Sequence, residues 1–132
     1  MVTFIKTSIM KFLADILICA VALLHIYILW LEMFGWTTRG KKVFKSIPED
    51  LFEKTKTLAA NQGLYNGFLA AGLIWSLFIT DPSWSANVSY FFLTCIAVAG
   101  LYGAVTAQRS ILFVQTIPAS ITMLVIFVST QS

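Results

Sequence analysis

The stretch LHIYILWLEMFGW, Leu24–Trp36, decides the fold class, because it continues an apolar run that begins near Ile9. That run is longer than the roughly 20 apolar residues that a helix needs to cross a bilayer. Within it stand a histidine, His25, and seven residues later a glutamate, Glu32. Ionisable side chains are costly inside a bilayer and are candidates for functional sites there, so both residues need an explanation.

The composition also indicates a lipid environment, and it does so for the whole chain. Of its 132 residues, 58% are hydrophobic and only 11% are charged, whereas soluble domains have roughly a quarter of their residues charged. The mean hydropathy is +0.84. Cys19 and Cys95 form no CxxC pair and one histidine gives no zinc-ligand spacing, so we expect no metal and no cofactor.

Four apolar segments predict an all-α integral membrane bundle that forms one domain, residues 1–132. The predicted spans cover residues 9–36, 58–79, 87–107 and 110–128. The second span should end at Thr80-Asp81-Pro82, which breaks helices. Gln108 and Arg109 alone separate the last two spans, so these should form a tight hairpin, and Pro118 should kink the fourth.

The distribution of positive charge predicts the orientation. The loop from Thr37 to Thr57 holds six of the nine basic residues, and Arg109 falls on the same side by alternation. The positive-inside rule places this loop in the cytoplasm and both termini outside, although Lys6 and Lys11 oppose this. The charge is therefore interpreted as a topology signal, and no nucleic-acid partner is expected.

The sequence leaves two alternatives open for the loop. A short amphipathic interfacial helix could begin at Ser46 as N-cap, with Leu51 and Phe52 facing lipid. Alternatively, this segment is a solvated connector. At the other end, Lys11 and Asp15 are four residues apart, so the expected explanation of Asp15 is an ion pair or exposure to water.

His25 and Glu32 should share a helix face, because seven residues make about two turns, which separates them by roughly 10 Å. Trp36 continues that face. The second predicted helix offers partners: Gln62 and Asn66 one turn apart, beside a stripe of Asn61 and Tyr65. We expect a polar ladder that descends from the cytoplasmic side through Glu32 with Gln62, then Asn66, then His25.

The candidate ligand-binding residues are Trp36, Asn61, Gln62, Tyr65, Asn66, Tyr102 and Gln115, and two glycines can bring the helices that carry them together. Gly63 and Gly67 have the GxxxG spacing that allows close helix approach, here to the first helix. Gln115 precedes Pro118 in the fourth predicted helix. Tyr102 lies near the cytoplasmic end of the third, where tyrosine is typical of an interfacial belt.

The strings LHIYILWLEMFGW, KTLAANQGLYNGFLAAGLIW and AGLYGAVTAQRSILFVQTIPA resemble the bacterial domain-of-unknown-function family numbered thirteen-oh-four. The resemblance covers nearly the whole chain. It implies a small four-span protein of the inner membrane and places the polar residues in the family strings. It implies no activity.

Three hypotheses follow for function. The first is a site in the bundle, open to the cytoplasm, that binds or transports a small molecule or ion, with proton coupling through Glu32 and His25. The second is a membrane enzyme that uses Glu32 and His25 as an acid–base pair on a lipid-like substrate. The third is a structural subunit whose polar residues join helices. Membrane lipids are the expected surroundings, and a homo-oligomer is left open.

Overall fold

The structure, a computed structural model, describes the backbone of residues 2–131 and the side chains of residues 7–131. The Lys6 side chain, which enters the orientation argument, lies outside the described residues, as do Met1 and Ser132. The described chain is almost entirely helical, in agreement with the predicted all-α class. In chain order the elements are α1 (Val2–Met33), a π-helical turn (Trp36–Gly40), α2 (Lys41–Val43), α3 (Leu51–Phe78), α4 (Pro82–Thr106), a second π-helical turn (Leu112–Thr116) and α5 (Ile117–Gln131).

The four long helices are arranged in a ring. α1 packs against α3 and α5, and α4 closes the ring by packing against the same two helices. The apolar core runs along the inner faces of all four helices, and its most deeply buried members are Ala22, Leu73, Leu93, Ile96 and Ala119. Most large apolar side chains on the outer faces are exposed. Such an apolar exterior is what a bilayer solvates and water does not.

α1 and α3 make the most extensive helix contact of the ring, and glycine permits it. A side chain at Gly63 would place its Cβ 3.0 Å from both Glu32 Cβ and the Leu29 carbonyl oxygen. One turn later, a Cβ at Gly67 would overlap the Leu29 side chain. The predicted role of Gly63 and Gly67 in helix approach to α1 is therefore confirmed.

Within the part of the chain that the structure describes, three helical segments are by length and composition able to cross a membrane: Thr7–Met33, Pro82–Thr106 and Leu112–Gln131. α3 is not among them, so the four-span arrangement expected from the sequence is not shown. The reason lies in its own residues, because Asn61, Gln62 and Asn66 lower the hydropathy of its first half, after the charged start at Glu53 and Lys54. The amides that suggested a site thus also weaken the signal for a span.

The segment between α1 and α3 agrees with the connector alternative and not with the interfacial helix, because residues 44–50 are not helical and Lys45, Ser46 and Glu49 are exposed. α1 ends at Met33, three residues before the predicted end of the first span, and Trp36 begins a π-helical turn. α3 begins at Leu51 with Asp50 as N-cap, so Ser46 is not a helix cap, and its hydroxyl instead donates to Gln108 Oε1 at 3.4 Å. Phe52 is only 1% exposed and does not face lipid, because it packs against the Trp36 ring.

The breaks at the other ends of the helices follow the sequence more closely. α3 ends at Phe78, one residue before the predicted end of the second span at residue 79. The predicted breaker starts α4, because Asp81 Oδ1 accepts a hydrogen bond from the Trp84 backbone N–H at 2.7 Å and Pro82 occupies the first turn. α4 therefore begins five residues earlier than predicted. After the tight turn at Gln108, the second π-helical turn leads into Pro118, which has no N–H to donate.

Candidate functional site

The buried face of α1 carries both ionisable residues of the opening stretch. Its members recur at intervals of three and four: Ala14, Ile18, Val21, Ala22, His25, Ile28, Leu31 and Glu32. His25 is 0% exposed and Glu32 is 9% exposed. The sequence prediction that the two share one helix face is confirmed, and this face points into the bundle.

Glu32 is paired with Asn66 across the contact between α1 and α3. Asn66 Nδ2 donates to Glu32 Oε2 at 2.8 Å and also lies 3.2 Å from the Gln62 carbonyl oxygen. Asn66 is 5% exposed, so the bond is shielded from solvent. Gly63 makes this geometry accessible, because its missing side chain lets the Glu32 backbone approach α3.

The expected pairing of the Glu32 and Gln62 side chains, at the cytoplasmic end of the polar ladder, does not form. Gln62, Asn61 and Tyr65 are all exposed on the outer side of α3. The reason is the register of the buried face, which follows Ala59, Gly63, Asn66, Ala70 and Leu73. Gln62 and Tyr65 each precede a member of that face by one residue, which rotates them by about 100° away from α1. Tyr65 instead contacts Phe68, with 6.0 Å between ring centroids.

His25 has one satisfied and one unsatisfied ring nitrogen. Nδ1 lies 2.8 Å from the Val21 carbonyl oxygen. Nε2 is the one buried side-chain polar atom without a hydrogen-bond partner among the described residues. The register that sets Leu29 against Gly67 puts His25 about level with Ala70, a small residue. Buried polar atoms in proteins nearly always have partners, so an orphan Nε2 marks a position where water or a ligand atom can bind.

Trp36 belongs to an aromatic cluster four residues beyond Glu32. Its ring lies 5.1 Å from the Phe52 ring and 5.4 Å from the Phe44 ring, centroid to centroid. Its Nε1 donates to Thr55 Oγ1 at 3.0 Å. The cluster also includes Ala59 and Ile47. Trp36 therefore anchors the inter-helix segment to the start of α3, at the end of the bundle where the sequence predicts an opening.

The remaining predicted residues lie apart from this pair. Gln115 is half-buried in the second π-helical turn, where its Cβ lies 2.8 Å from the position of a Cβ at Gly100 of α4. The neighbouring Thr116 hydroxyl donates to the Ala97 carbonyl oxygen at 3.0 Å. Tyr102 is 72% exposed, as expected of a belt residue. Neither makes a described hydrogen bond to Glu32 or His25.

A cavity of about 430 Å³ lies at the opposite end of the bundle, near the start of α1. Lys11 and Asp15 line it and form the predicted ion pair, Nζ to Oδ2 at 2.7 Å. Ile18 also lines it, seven residues before His25. This cavity is not predicted by the sequence. Serines at Ser85 and Ser89, four residues apart after the Asp81 cap, are the signal that could have indicated a hydroxyl-lined face.

The arrangement limits the available chemistry. The chain has two candidate proton carriers on one face of α1, and roughly 10 Å of helix separates them, which is too far for a direct hydrogen bond. Among the described residues, no group of three or more histidine, cysteine, aspartate or glutamate side chains could hold a metal ion. Proton uptake and hydrogen bonding are thus what Glu32, Asn66 and His25 can supply.

Comparison with known proteins shows which family the chain is similar to. It is 33% identical over 108 residues to the uncharacterized protein YpaA of Lactococcus lactis subsp. lactis (strain IL1403), covering 80% of this chain and 89% of that protein. No solved structure matches. The profile of the family "Protein of unknown function (DUF1304)" matches residues 19–127, and the assignment rests on this match. The match does not include residues 1–18, whereas the resemblance described from the sequence covers nearly the whole chain. The chain therefore belongs to the family of proteins of unknown function DUF1304.

Proposed function

We propose that this protein is an integral protein of a bacterial cell membrane that binds or transports a small molecule or ion in a proton-coupled step. Glu32 takes up and releases the proton, and His25 relays it. The observation that carries the proposal is the pair of buried ionisable residues on one face of α1, of which His25 has an unpartnered Nε2. Ionisable residues buried in membrane bundles are rare and often mark proton relays or ligand pathways.

The membrane placement includes α3 as a fourth span. Its 28 residues reach about 42 Å at 1.5 Å per residue, more than the hydrocarbon core of about 30 Å. The charged first turns can therefore lie at the interface while residues 59–78, 20 residues and about 30 Å long, cross, with Asn61 and Gln62 near the cytoplasmic boundary. The basic loop faces the cytoplasm, and the cavity near α1's start faces outward.

The spacing along α1 supports a relay. Ile18 at the inner end of the cavity, His25 and Glu32 succeed one another at intervals of seven residues. Ile18 is apolar and carries no proton, so the carriers are His25 and Glu32, about 10 Å apart. Transfer between them passes through intervening water or ligand atoms, and His25 takes up the proton at its unpartnered Nε2.

One observation favours a second candidate, the structural role. The hydrogen bond between Asn66 and Glu32 joins two helices, as polar side chains in membrane bundles often do. On that role, the pair stabilises the bundle and never exchanges a proton. The two candidates differ in whether Glu32 titrates in the folded protein.

Infrared spectroscopy of the reconstituted protein tests this difference. We expect a carbonyl band from a protonated carboxylic acid that appears and disappears across a pH titration and shifts in heavy water. Glu32→Gln should remove this band, and Glu53→Gln, at an exposed position of α3, should leave it unchanged. If the wild-type protein shows no titrating band that Glu32→Gln removes, the proton-coupled function is wrong and the structural role is favoured.

A further inference from the structure

The cavity near the start of α1 is built from three parts of the fold. α1 contributes Lys11, Asp15 and Ile18, the junction of α3 and α4 contributes a second wall, and α5 contributes the third. Its volume of about 430 Å³ falls within the range of roughly 300–1,000 Å³ that is typical of small-molecule sites. It does not include Glu32 or Asn66.

Hydroxyl groups line the polar wall, and four of them, on Ser85, Ser89, Ser129 and Thr130, have already donated their protons. Ser85 Oγ donates to the Ser76 carbonyl oxygen at 2.8 Å, and Ser89 Oγ donates to the Ser85 carbonyl oxygen at 2.9 Å. On α5, Ser129 and Thr130 donate to backbone carbonyls of their own helix at 2.7 and 2.9 Å. A hydroxyl has one proton but two acceptor lone pairs. These four groups therefore offer hydrogen-bond acceptors to a ligand.

The ion pair at the cavity indicates that the Asp15 carboxylate can accept a primary ammonium group. Lys11 presents a primary ammonium to Asp15 at 2.7 Å, and the two side chains are 61% and 39% exposed. Ion pairs at such exposure contribute little to stability. A ligand ammonium can therefore replace Lys11 at Asp15 at small cost, while Lys11 moves into solvent.

The inner wall of the cavity is apolar. Ala14, Ile18 and Ile126 line it and are at most 4% exposed, with Leu77 beside them. The cavity thus has hydrogen-bond acceptors on its outer side and apolar side chains on its inner side. This arrangement fits a molecule with a hydrogen-bond-donating cationic group and a short hydrocarbon chain. The one cation described at the cavity, Lys11, is already paired with Asp15, so an anion would have to displace that carboxylate and then lie beside it.

We propose that this cavity binds a small amphipathic primary amine in its protonated form, with the ammonium on Asp15 and the hydrocarbon towards Ile18. The inference deepens the proposed function by naming the class of ligand, and it rests on that function only for transport. The binding step itself depends on the cavity and not on Glu32.

Calorimetric titration of the protein in phosphatidylcholine nanodiscs tests the ligand class, with empty nanodiscs subtracted. The probes are isoamylamine, its N-trimethyl derivative, isoamyl alcohol and isovalerate, which share one hydrocarbon body. Isoamylamine should bind about tenfold or more tightly than the other three, since hydrogen bonds to charged groups are worth that factor. The trimethyl derivative keeps the charge but has no N–H to donate.

Two substitutions at the cavity should act in opposite directions. Asp15→Asn should weaken isoamylamine binding about tenfold or more. Lys11→Gln should strengthen it up to about fivefold, because it removes the competing ammonium of a weak pair. The matched controls are Asp50→Asn and Lys54→Gln, which alter the other exposed pair at this spacing, 2.9 Å from Nζ to Oδ2. Both controls should leave binding unchanged.

The proposal is overturned if isoamylamine and isoamyl alcohol bind equally, or if Lys11→Gln weakens binding. Should Asp15→Asn fail to fold, the probe series and Lys11→Gln still decide. Glu32→Gln separates the two proposals, because it should retain isoamylamine binding while it removes the titrating infrared band. Binding without the band contradicts the proton-coupled function alone, and the band without amine-selective binding contradicts the cavity alone.

Discussion

Asn66 of α3 donates a hydrogen bond to Glu32 of α1 at 2.8 Å, at the level where Gly63 brings the two helices into contact. The bond and the close approach depend on each other. Without Gly63, α1 could not come near enough for Asn66 to reach the carboxyl group. Without Asn66, a buried carboxyl group would lose its one described side-chain partner.

Replacing Asn66 by alanine should lower the free energy of unfolding by about 1–3 kcal/mol, because Glu32 is left buried without that partner. The double variant Asn66→Leu with Glu32→Leu should recover most of the loss, since both polar groups are then removed. Thermal unfolding in detergent measures both. Gln62→Ala, at an exposed position one turn away, is the control and should change little; an equal loss there would contradict the assigned pairing.

Adding a methyl group at Gly63 should separate α1 from α3. A Cβ there meets Met33 Cγ at 2.9 Å and the Leu29 backbone oxygen at 3.0 Å, and backbone cannot move aside as a side-chain end can. We expect Gly63→Ala to destabilise the protein by about 1–3 kcal/mol. Gly103→Ala is the milder comparison, because its Cβ meets only the Ile111 side chain, at 3.2 Å or more. A Gly63 variant as stable as the Gly103 variant would show that the helices are not in close contact.

His25→Leu should keep or raise stability, by up to about 2 kcal/mol, because it replaces a side chain with an orphan Nε2 by an apolar one of similar size. The unfolding midpoint in detergent measures this. In the same variant, the infrared band of protonated Glu32 should no longer respond to the pH outside the membrane, because His25 is proposed to relay the proton. A loss of stability above about 1 kcal/mol would instead show that Nε2 has a structural partner such as bound water.

Phe52→Ala should release the segment between α1 and α3. Phe52 is 1% exposed and holds Trp36 in the aromatic cluster, so we expect a cost of about 3–5 kcal/mol in that region. Limited trypsin digestion should then cut near Lys41 and Lys45 faster than in the wild-type protein. Leu58→Ala, at an exposed position of α3, should leave the cutting rate unchanged; equal acceleration would mean that the cluster does not hold the segment.

The proposed orientation predicts which single cysteines react from outside the cell. In a chain with Cys19 and Cys95 changed to serine, Ser8→Cys should be labelled by an impermeant maleimide in intact cells. Lys42→Cys, in the basic loop, should react only after the membrane is opened. Both positions are exposed, so access differs by side and not by burial. The reverse pattern would invert the topology and place the cavity in the cytoplasm.

Periodicity and composition by themselves determined the helical class, the α1 face shared by His25 and Glu32, the Lys11–Asp15 pair and the glycine contact with α1. These depend on helix geometry within one element, on the spacing of opposite charges, or on glycines that allow two helices to approach. The same patterns placed the break before Asp81 and the hairpin at Gln108, because proline, glycine and polar clusters act locally.

The tertiary structure alone decided which amide reaches Glu32. Gln62 and Asn66 are nearly equivalent in sequence, but the packing face of α3 is fixed by Gly63 and Ala70, and only Asn66 lies on it. Packing also turned Phe52 inward against Trp36 and gathered hydroxyls from α4 and α5 around Asp15. Such contacts depend on how helices rotate against one another, and the sequence of one helix does not contain the surface of its neighbour.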